Sequence, residues 1–200
     1  MQVLTKLCNA TLRHATKAYI RRLARSDSRP TLRAVFVQDF VSTAALLDGS
    51  YEWRHLDALA RDVFPQLPRD STALDVGANI GNHTVFFARH FHRVIAFEPN
   101  PAANALLKVN AAEYGPAVEV KPFGLSDSPA RLNFEIVERN VGGSRITGEA
   151  TDMTIEVKVL GVCATGSVDA VFRNFMARSS SAVCVDGQLV QCMPFGPGMP

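Results

Sequence analysis

One short segment carries the residues best suited to chemistry. It reads Ala73-Leu74-Asp75-Val76-Gly77-Ala78-Asn79-Ile80-Gly81-Asn82-His83-Thr84, and Val94-Ile95-Ala96-Phe97-Glu98 follows shortly after it. Gly77 and Gly81 permit a sharp turn and a close backbone approach that side chains would hinder. A helix beginning near Asn82 would point unpaired N–H groups at a ligand. The segment therefore predicts a binding site for an anionic group at the end of a buried strand.

A carboxylate stands where a nucleoside would need it. Glu98 ends the second predicted strand about twenty residues beyond the turn, where it can accept hydrogen bonds from both ribose hydroxyls and would repel a 2′-phosphate. Asp75 can orient the turn or an amino group of the ligand, and Asn79 tolerates the left-handed backbone that most residues resist. The interpretation without function is a tight strand-to-helix turn beside a carboxylate placed there by chance.

The glycine spacing separates two cofactor classes. A dinucleotide fingerprint has the form G-x-G-x-x-G, and its second glycine lets the backbone approach a pyrophosphate. This chain has Asn79 in place of that glycine. The spacing favours S-adenosylmethionine, which has no pyrophosphate. NAD-dependent oxidoreduction is the less favoured alternative.

The elements that must position this site alternate between strand and helix. Short apolar runs rich in β-branched residues, separated by helical patterns, are typical of a doubly wound α/β sheet with parallel strands. The predicted elements are Ala73–Val76, Asn82–Phe91, Val94–Phe97, Ala102–Glu113 and Val118–Lys121. From Arg131 to Leu160 the pattern predicts two antiparallel strands around a glycine-rich loop. In that loop Arg145 either holds an acidic group of an acceptor or has no function.

The chain resembles the FkbM-type S-adenosylmethionine-dependent methyltransferases over about residues 35 to 160. The similarity lies in Asp75 to Thr84, in Phe97-Glu98-Pro99-Asn100-Pro101 and in Gly124-Leu125-Ser126-Asp127. The resemblance implies a Rossmann-like class I methyltransferase fold and O-methylation of a hydroxyl on a sugar, glycolipid or polyketide-type acceptor. It also implies a cofactor pocket with Ser126 and Asp127 near the adenine, the other residues being Asp75, Gly77, Ala78, Asn79, Gly81, Asn82 and Glu98.

The resemblance ends near Gly161, where the family continues with a strand like Ile-Asp-Val-Glu-Gly. We therefore expect the C-terminal half of the sheet to be incomplete, with the central first strand lacking a neighbour. Truncation or a frameshift, family divergence, and dimerisation that supplies the edge in trans are the competing explanations. A catalytically inactive, cofactor-binding remnant is accordingly the alternative function. The sequence also predicts a helix at Val168–Ala177, a strand at Ala182–Val185 as an altered form of the missing strand, and a disordered tail over 193–200.

No residue can be given the role of catalytic base from the sequence. His83 lies nearest the turn, but we expect it to be a cap or an exposed polar residue. His90 and His92 fall at a predicted helix end, where a partly charged imidazole complements the helix dipole.

Composition limits the class of protein. The chain has 200 residues, 47% of them hydrophobic, and a net charge of +2, which does not indicate nucleic-acid binding. Its apolar stretches fall short of the roughly 20 residues that cross a bilayer. The four cysteines show neither metal-ligand nor disulfide spacing, which predicts free thiols, no metal site and a cytoplasmic location. We divide the chain into an N-terminal helix (1–30), a methyltransferase domain (31–160) and a divergent C-terminal segment (161–200).

The N-terminal region predicts a basic amphipathic helix over residues 3 to 25. It has three interpretations: weak binding to an anionic membrane surface, binding to an acidic partner, or packing on the domain with its cations in water. We expect the last. After a break at Ser26–Pro30, the pattern predicts a strand at Thr31–Phe40 and a helix at Trp53–Phe64.

Overall fold

The computed structural model describes residues 2–25, 32–37, 39–126, 128–137, 141–158, 179–185 and 188–194. The helices are α1 (Gln2–Ala24), α2 (Phe40–Asp48), α3 (Trp53–Asp62), α4 (Asn82–Phe87) and α5 (Pro101–Ala111), with 3₁₀ turns at Phe64–Gln66, Ala112–Ala117 and Val141–Gly143. The strands are β1 (Thr72–Val76), β2 (Arg93–Phe97), β3 (Val118–Lys121), β4 (Gly124–Leu125), β5 (Ala130–Glu135), β6 (Arg145–Ile146), β7 (Thr154–Lys158), β8 (Ser179–Val185) and β9 (Gln188–Pro194). The chain therefore has a mixed α/β fold.

The larger sheet has the strand order β3-β2-β1-β8-β9. Strands β1, β2 and β3 are parallel, with Leu74 of β1 opposite Ile95 of β2. Helices α4 and α5 connect these strands in turn, as the sequence predicts. Helix α4 is shorter than expected, ending at Phe87 instead of Phe91. Helix α5 begins with Pro101, and the side chain of Asn100 caps it by accepting the N–H of Ala102 at 3.0 Å.

Apolar packing holds the helices against the parallel strands. Helices α3 and α4 pack over the start of β1 and β2 in a cluster of Leu56, Leu59, Ala73, Phe86, Phe87, Phe91 and Val94. Leu107 of α5 packs with Ala78 and Ala96 nearer the carboxyl ends of the strands. Burial of these side chains is the main favourable term that fixes the position of the turn after β1.

Strand β8 corrects the expectation of an unpaired first strand. It lies beside β1 and pairs with it in antiparallel register, Leu74 being opposite Ala182. β9 then pairs with β8, also antiparallel. The run at Ala182–Val185 is a strand as predicted, but its antiparallel direction means that it is not an altered form of a parallel fourth strand. Residues Thr72 to Leu74 of β1 are thus paired on both sides within one chain.

The smaller sheet has the order β4-β7-β5-β6. Strands β5 and β7 are antiparallel, with Leu132 opposite Ile155, which confirms the predicted pair. The glycine-rich connection contains a 3₁₀ turn and β6, which pairs with β5. Phe134, Ile155 and Val157 form the core of this sheet.

The segment before α2 is not the predicted strand. Residues 32–37 have an irregular backbone, because part of their hydrogen bonding goes to a side chain of α5 instead of a neighbouring strand. Asn110 Oδ1 accepts the N–H groups of Arg33 and Ala34, both at 2.7 Å, and its Nδ2 donates to Ala34 O. Phe40 then starts α2, since the buried carboxylate of Asp39 caps it through the N–H of Ser42. The predicted helix at Trp53 is present and ends at Asp62.

Helix α1 forms as predicted, but its residues from Cys8 to Arg22 do not pack on the domain. Every residue from Cys8 to Arg22 is exposed, including Leu12 at 67% and Ile20 at 47%. The expectation of a packed helix is therefore wrong for these residues. Within the described part of the chain, no helix combines the length and apolar character needed to cross a membrane.

The sequence also predicts a helix and a disordered tail in the C-terminal region. The predicted helix at Val168–Ala177 lies outside the described residues, as do residues 195–200 of the expected disordered tail. The remainder of that expected tail, Met193 and Pro194, is wrongly predicted, because both residues belong to β9.

Candidate functional site

The turn between β1 and α4 bends through three left-handed residues. Gly77, Asn79 and Gly81 have φ angles of 75°, 49° and 91°. Glycine adopts this conformation without a steric penalty, and asparagine does so more readily than most residues. A Cβ on Gly81 would lie 2.7 Å from Leu107 Cδ1, so this position also requires glycine for the close approach of α5.

The turn and Glu98 form one hydrogen-bonded unit. Phe97 O accepts the N–H groups of Gly77 and Ala78 at 2.9 and 3.0 Å. The Glu98 carboxyl group accepts the N–H of Asn79 on Oε2 and that of Asn100 on Oε1, each at 2.7 Å. The structure thus brings together two sequence motifs that are about twenty residues apart, at the carboxyl ends of adjacent parallel strands.

Glu98 is only 6% exposed. Burial raises its pKa to about 7, although its two backbone hydrogen bonds oppose the rise by favouring the charged form. The nearby Asp75 adds to the increase by like-charge repulsion. At neutral pH the carboxyl group is therefore close to the midpoint of its titration.

Asp75 lies inside the protein, fully buried near the end of β1. Its Oδ2 accepts a hydrogen bond from Thr84 Oγ1 of α4. The carboxylate thereby joins the strand before the turn to the helix after it. Whether Asp75 orients the turn or an amino group of a ligand stays a prediction.

The side chain of Asn82 bonds the segment before α3. Its Oδ1 accepts the N–H of Tyr51 at 2.8 Å and the hydroxyl of Ser50 at 3.1 Å, while its Nδ2 donates to Tyr51 O at 2.9 Å. The amide group therefore fastens the segment before α3 to the first residue of α4. The sequence does not predict this contact, because no local pattern links Ser50 and Tyr51 to a residue about 30 positions later.

His83 is buried and has an acidic neighbour. It is 8% exposed, and its Nε2 lies 3.3 Å from Glu52 Oε2. Glu52 has a left-handed backbone, with φ of 56°, at the start of α3. Burial raises the pKa of Tyr51, and the negative charge of Glu52 raises it further. The expectation of an exposed histidine is wrong, since His83 contacts the segment that Asn82 also holds.

His90 does not stabilise a helix dipole as a charged group. Its ring packs on Phe86 and Phe64, with ring centres 4.7 and 5.3 Å apart. Burial lowers its pKa, and the neighbouring Arg89 lowers it further. The neutral imidazole is therefore favoured. A groove beside this ring lies at the amino ends of β1 and β2, the edge of the sheet opposite the glycine turn, and is lined by Phe64, Pro65, Leu67, Pro68, Arg69, His90 and Phe91.

The segment after β3 approaches the same edge as Glu98. The ring of Phe123 lies 5.7 Å from that of Phe97, and a Cβ on Gly124 would contact Pro99 at 3.7 Å. Ser126 is held by its N–H, which donates to Lys158 O at 3.0 Å. Asp127 lies outside the described residues.

Arg145 already has a partner. Its guanidinium lies 2.6 Å from the carboxylate of Glu135 across the β5–β6 pair, and both side chains are well exposed. The preceding 3₁₀ turn is fixed from within the domain, because Val141 N–H donates to the buried Asp39 at 2.9 Å. A role for Arg145 in binding an acceptor stays a prediction.

Comparisons with known proteins give short or remote similarities. No family model matches the chain. Over 70 residues the chain is 43% identical to the AMB antimetabolite synthetase AmbE of Pseudomonas aeruginosa, a stretch that covers 34% of this chain and 3% of the synthetase. The crystal structure of Methyltransferase FkbM from Methylobacillus flagellatus KT aligns with a TM-score of 0.36 and 15% identity, over 72% of this chain and 37% of that chain. The chain thus spans far less than the full length of either protein.

Proposed function

We propose that this chain binds S-adenosylmethionine and transfers its methyl group to an acceptor hydroxyl. The observation that carries the proposal is the hydrogen-bonded unit of the glycine turn and Glu98, at the carboxyl ends of β1 and β2. Open α/β sheets bind their ligands at this edge. Under this proposal the larger sheet is the first half of a Rossmann-like class I methyltransferase fold, completed on one side by β8 and β9.

The residues around the turn fit a nucleoside cofactor that lacks a pyrophosphate. A carboxylate offers about four acceptor positions, so Glu98 retains two after its backbone contacts, enough for both ribose hydroxyls. No group among the described residues donates a hydrogen bond to the buried Asn79 Oδ1, and an amino or hydroxyl donor of a ligand would satisfy it. Gly77 is exposed and leaves its backbone open to the ligand. Ala78, Gly81, Asn82 and Asp75 would shape the turn, and Ser126 and Asp127 would lie near the adenine.

The cofactor, when bound, supplies an electrophilic methyl group. The chain's part is to hold the acceptor oxygen in line with that group. We propose a sugar, glycolipid or polyketide-type hydroxyl as acceptor. His83 and Glu52 would act by fixing the segment before α3 beside the turn, and no residue is assigned as the base.

Isothermal titration with S-adenosylmethionine and S-adenosylhomocysteine tests the binding step. We expect both to bind, and Glu98→Gln to weaken binding at least tenfold because the amide loses an acceptor for one ribose hydroxyl. Glu119→Gln is the matched control, since it removes an exposed carboxylate on β3. Failure of the folded chain to bind either compound would refute the proposal.

Two alternatives are separated by the same samples. An inactive remnant would bind the cofactor but transfer no methyl group from labelled S-adenosylmethionine to any of the three acceptor classes. An NAD-dependent oxidoreductase would bind NADH in preference to S-adenosylhomocysteine.

A further inference from the structure

Helix α1 concentrates positive charge. Residues 2 to 25 contain six basic residues and no acidic ones, the basic residues being Lys6, Arg13, Lys17, Arg21, Arg22 and Arg25. The helix has 23 residues, so at 1.5 Å per residue it is about 35 Å long. The cations are distributed along most of this length, whereas the net charge of the whole chain is only +2.

Helical spacing sorts the residues of α1 onto two faces. Positions of Leu4, Cys8, Leu12, Ala15 and Tyr19 fall on one stripe, because they follow one another at three or four residues. Positions of Lys6, Arg13, Lys17 and Arg21 fall on the other side of the helix. The helix therefore carries an apolar stripe opposite a basic face, and the apolar residues Val3, Leu7 and Ile20 fall outside that stripe.

The part of the apolar face of α1 whose side chains the structure describes, from Cys8 to Tyr19, is exposed. Leu12 is 67% exposed and Tyr19 is 37% exposed. The side-chain hydrogen bonds of His14 and Thr16 go to carbonyl groups one turn earlier in the same helix. Because most helical stability in proteins comes from packing of an amphipathic face, an external surface that buries this apolar stripe would stabilise the helix.

Arg22 favours a lipid interface over a protein groove as the surface that α1 binds. By spacing it continues the apolar stripe, four residues beyond Ala18 and seven beyond Ala15. A closed protein groove would desolvate its charge at a cost of several kcal/mol unless it supplied an acid. At a lipid interface, a long arginine side chain extends to the headgroups while its methylenes stay in the apolar layer.

We propose that α1 binds the surface of an anionic phospholipid bilayer, lying in the plane of the interface. Its basic face contacts the headgroups, and its apolar stripe enters the boundary with the acyl chains. This anchor would hold the domain at a membrane whatever reaction the domain performs. The inference is therefore independent of the proposed methyl transfer.

Co-sedimentation of the full chain with lipid vesicles tests this anchor. One set of vesicles contains phosphatidylcholine alone, and the other contains about one third phosphatidylserine. We expect binding to the second set and little to the first. The triple variant Arg13→Gln, Lys17→Gln, Arg21→Gln should reduce the partition coefficient roughly a hundredfold. Each of the three cations near an anionic surface contributes a similar share of the binding free energy.

Matched variants distinguish binding through α1 from binding through the overall charge and hydrophobicity of the chain. Arg69→Gln, Lys108→Gln, Arg131→Gln removes the same number of exposed cations outside α1 and should bind like the parent chain. Leu12→Gln should weaken binding by about tenfold, whereas Leu47→Gln, which changes a leucine that is 58% exposed on α2, should not. Circular dichroism checks that each variant keeps its helix content.

Three results would overturn the proposal. One is the absence of binding to anionic vesicles by the folded chain. A second is an equal loss of binding in the two triple variants. The third is binding to polyglutamate without binding to vesicles, which would assign α1 to an acidic protein surface.

Discussion

At the scale of single residues, Glu98 combines two properties that oppose each other. Its carboxyl oxygens each accept a backbone N–H, which stabilises the charged form, yet the side chain is almost fully buried, which favours the neutral form. Burial has the larger effect, so the pKa is about 7 instead of 4.5. Stability therefore depends on the ionisation of this one group.

The stability of the chain should fall as the pH rises through 7. Because the pKa of Glu98 is higher in the folded state, its contribution is complete below pH 4.5, the ordinary value, and is lost as the pH passes the folded value of about 7. The gap between the two pKa values corresponds to about 3 kcal/mol. Urea unfolding of the chain and of Glu98→Gln from pH 5 to pH 8 measures this loss.

The difference between the two pH profiles isolates Glu98 from other titrating groups. Glu98→Gln should lack this loss, while Glu119→Gln should keep it, because the exposed Glu119 has its pKa lowered by Lys121 and Arg93. Parallel profiles for the parent chain and Glu98→Gln would show that Glu98 is charged throughout this range.

At the scale of elements, α5 fixes the position of the glycine turn through the side chain of Asn110. Asn110 accepts the N–H groups of Arg33 and Ala34 and donates to Ala34 O and to Ile80 O, the last at 2.7 Å. The side chain thus joins the segment before α2 to the glycine turn, and it is only 2% exposed. A buried amide with four partners is expensive to remove, because its partners are left without hydrogen bonds.

Asn110→Ala should lower the free energy of unfolding by about 3 kcal/mol. The cause is the loss of partners for two N–H groups and two carbonyl groups in a buried setting. Urea denaturation followed by circular dichroism measures the change, with Asn9→Ala on the exposed face of α1 as control. A loss below 1 kcal/mol would mean that water replaces the amide group at this position.

At the scale of the whole molecule, β8 and β9 complete the larger sheet. They follow a break of 20 residues outside the described ranges and return to pair with β1. Without them, β1 would become an edge strand with an unpaired ladder, a ready template for aggregation.

Truncation after Lys158 should abolish cooperative unfolding and cause aggregation. The shortened chain keeps β1 but loses its neighbour, so the backbone groups of Thr72 to Leu74 lose their antiparallel partners. Size-exclusion chromatography and thermal unfolding measure the effect, and truncation after Pro194 is the control because it keeps both strands. A monomeric, cooperatively folded product of the first truncation would show that this pairing contributes little.

The sequence by itself determined the order of elements from β1 to β3 and the positions of the turn. Helical and strand periodicity, and the glycines at 77 and 81, are local signals that act over a few residues. For the same reason, the separate antiparallel pair β5 and β7 was predictable.

Only the tertiary structure decided which partners these elements meet. β8 lies beside β1 although the two are about a hundred residues apart in sequence, and the segment at 32–37 binds Asn110 instead of forming a strand. Burial raised the pKa of Glu98 and placed His83 beside Glu52. Residues Cys8 to Arg22 of α1 stay exposed. Pairing and burial depend on segments brought together by packing, and a local pattern carries no information about which distant segment will arrive.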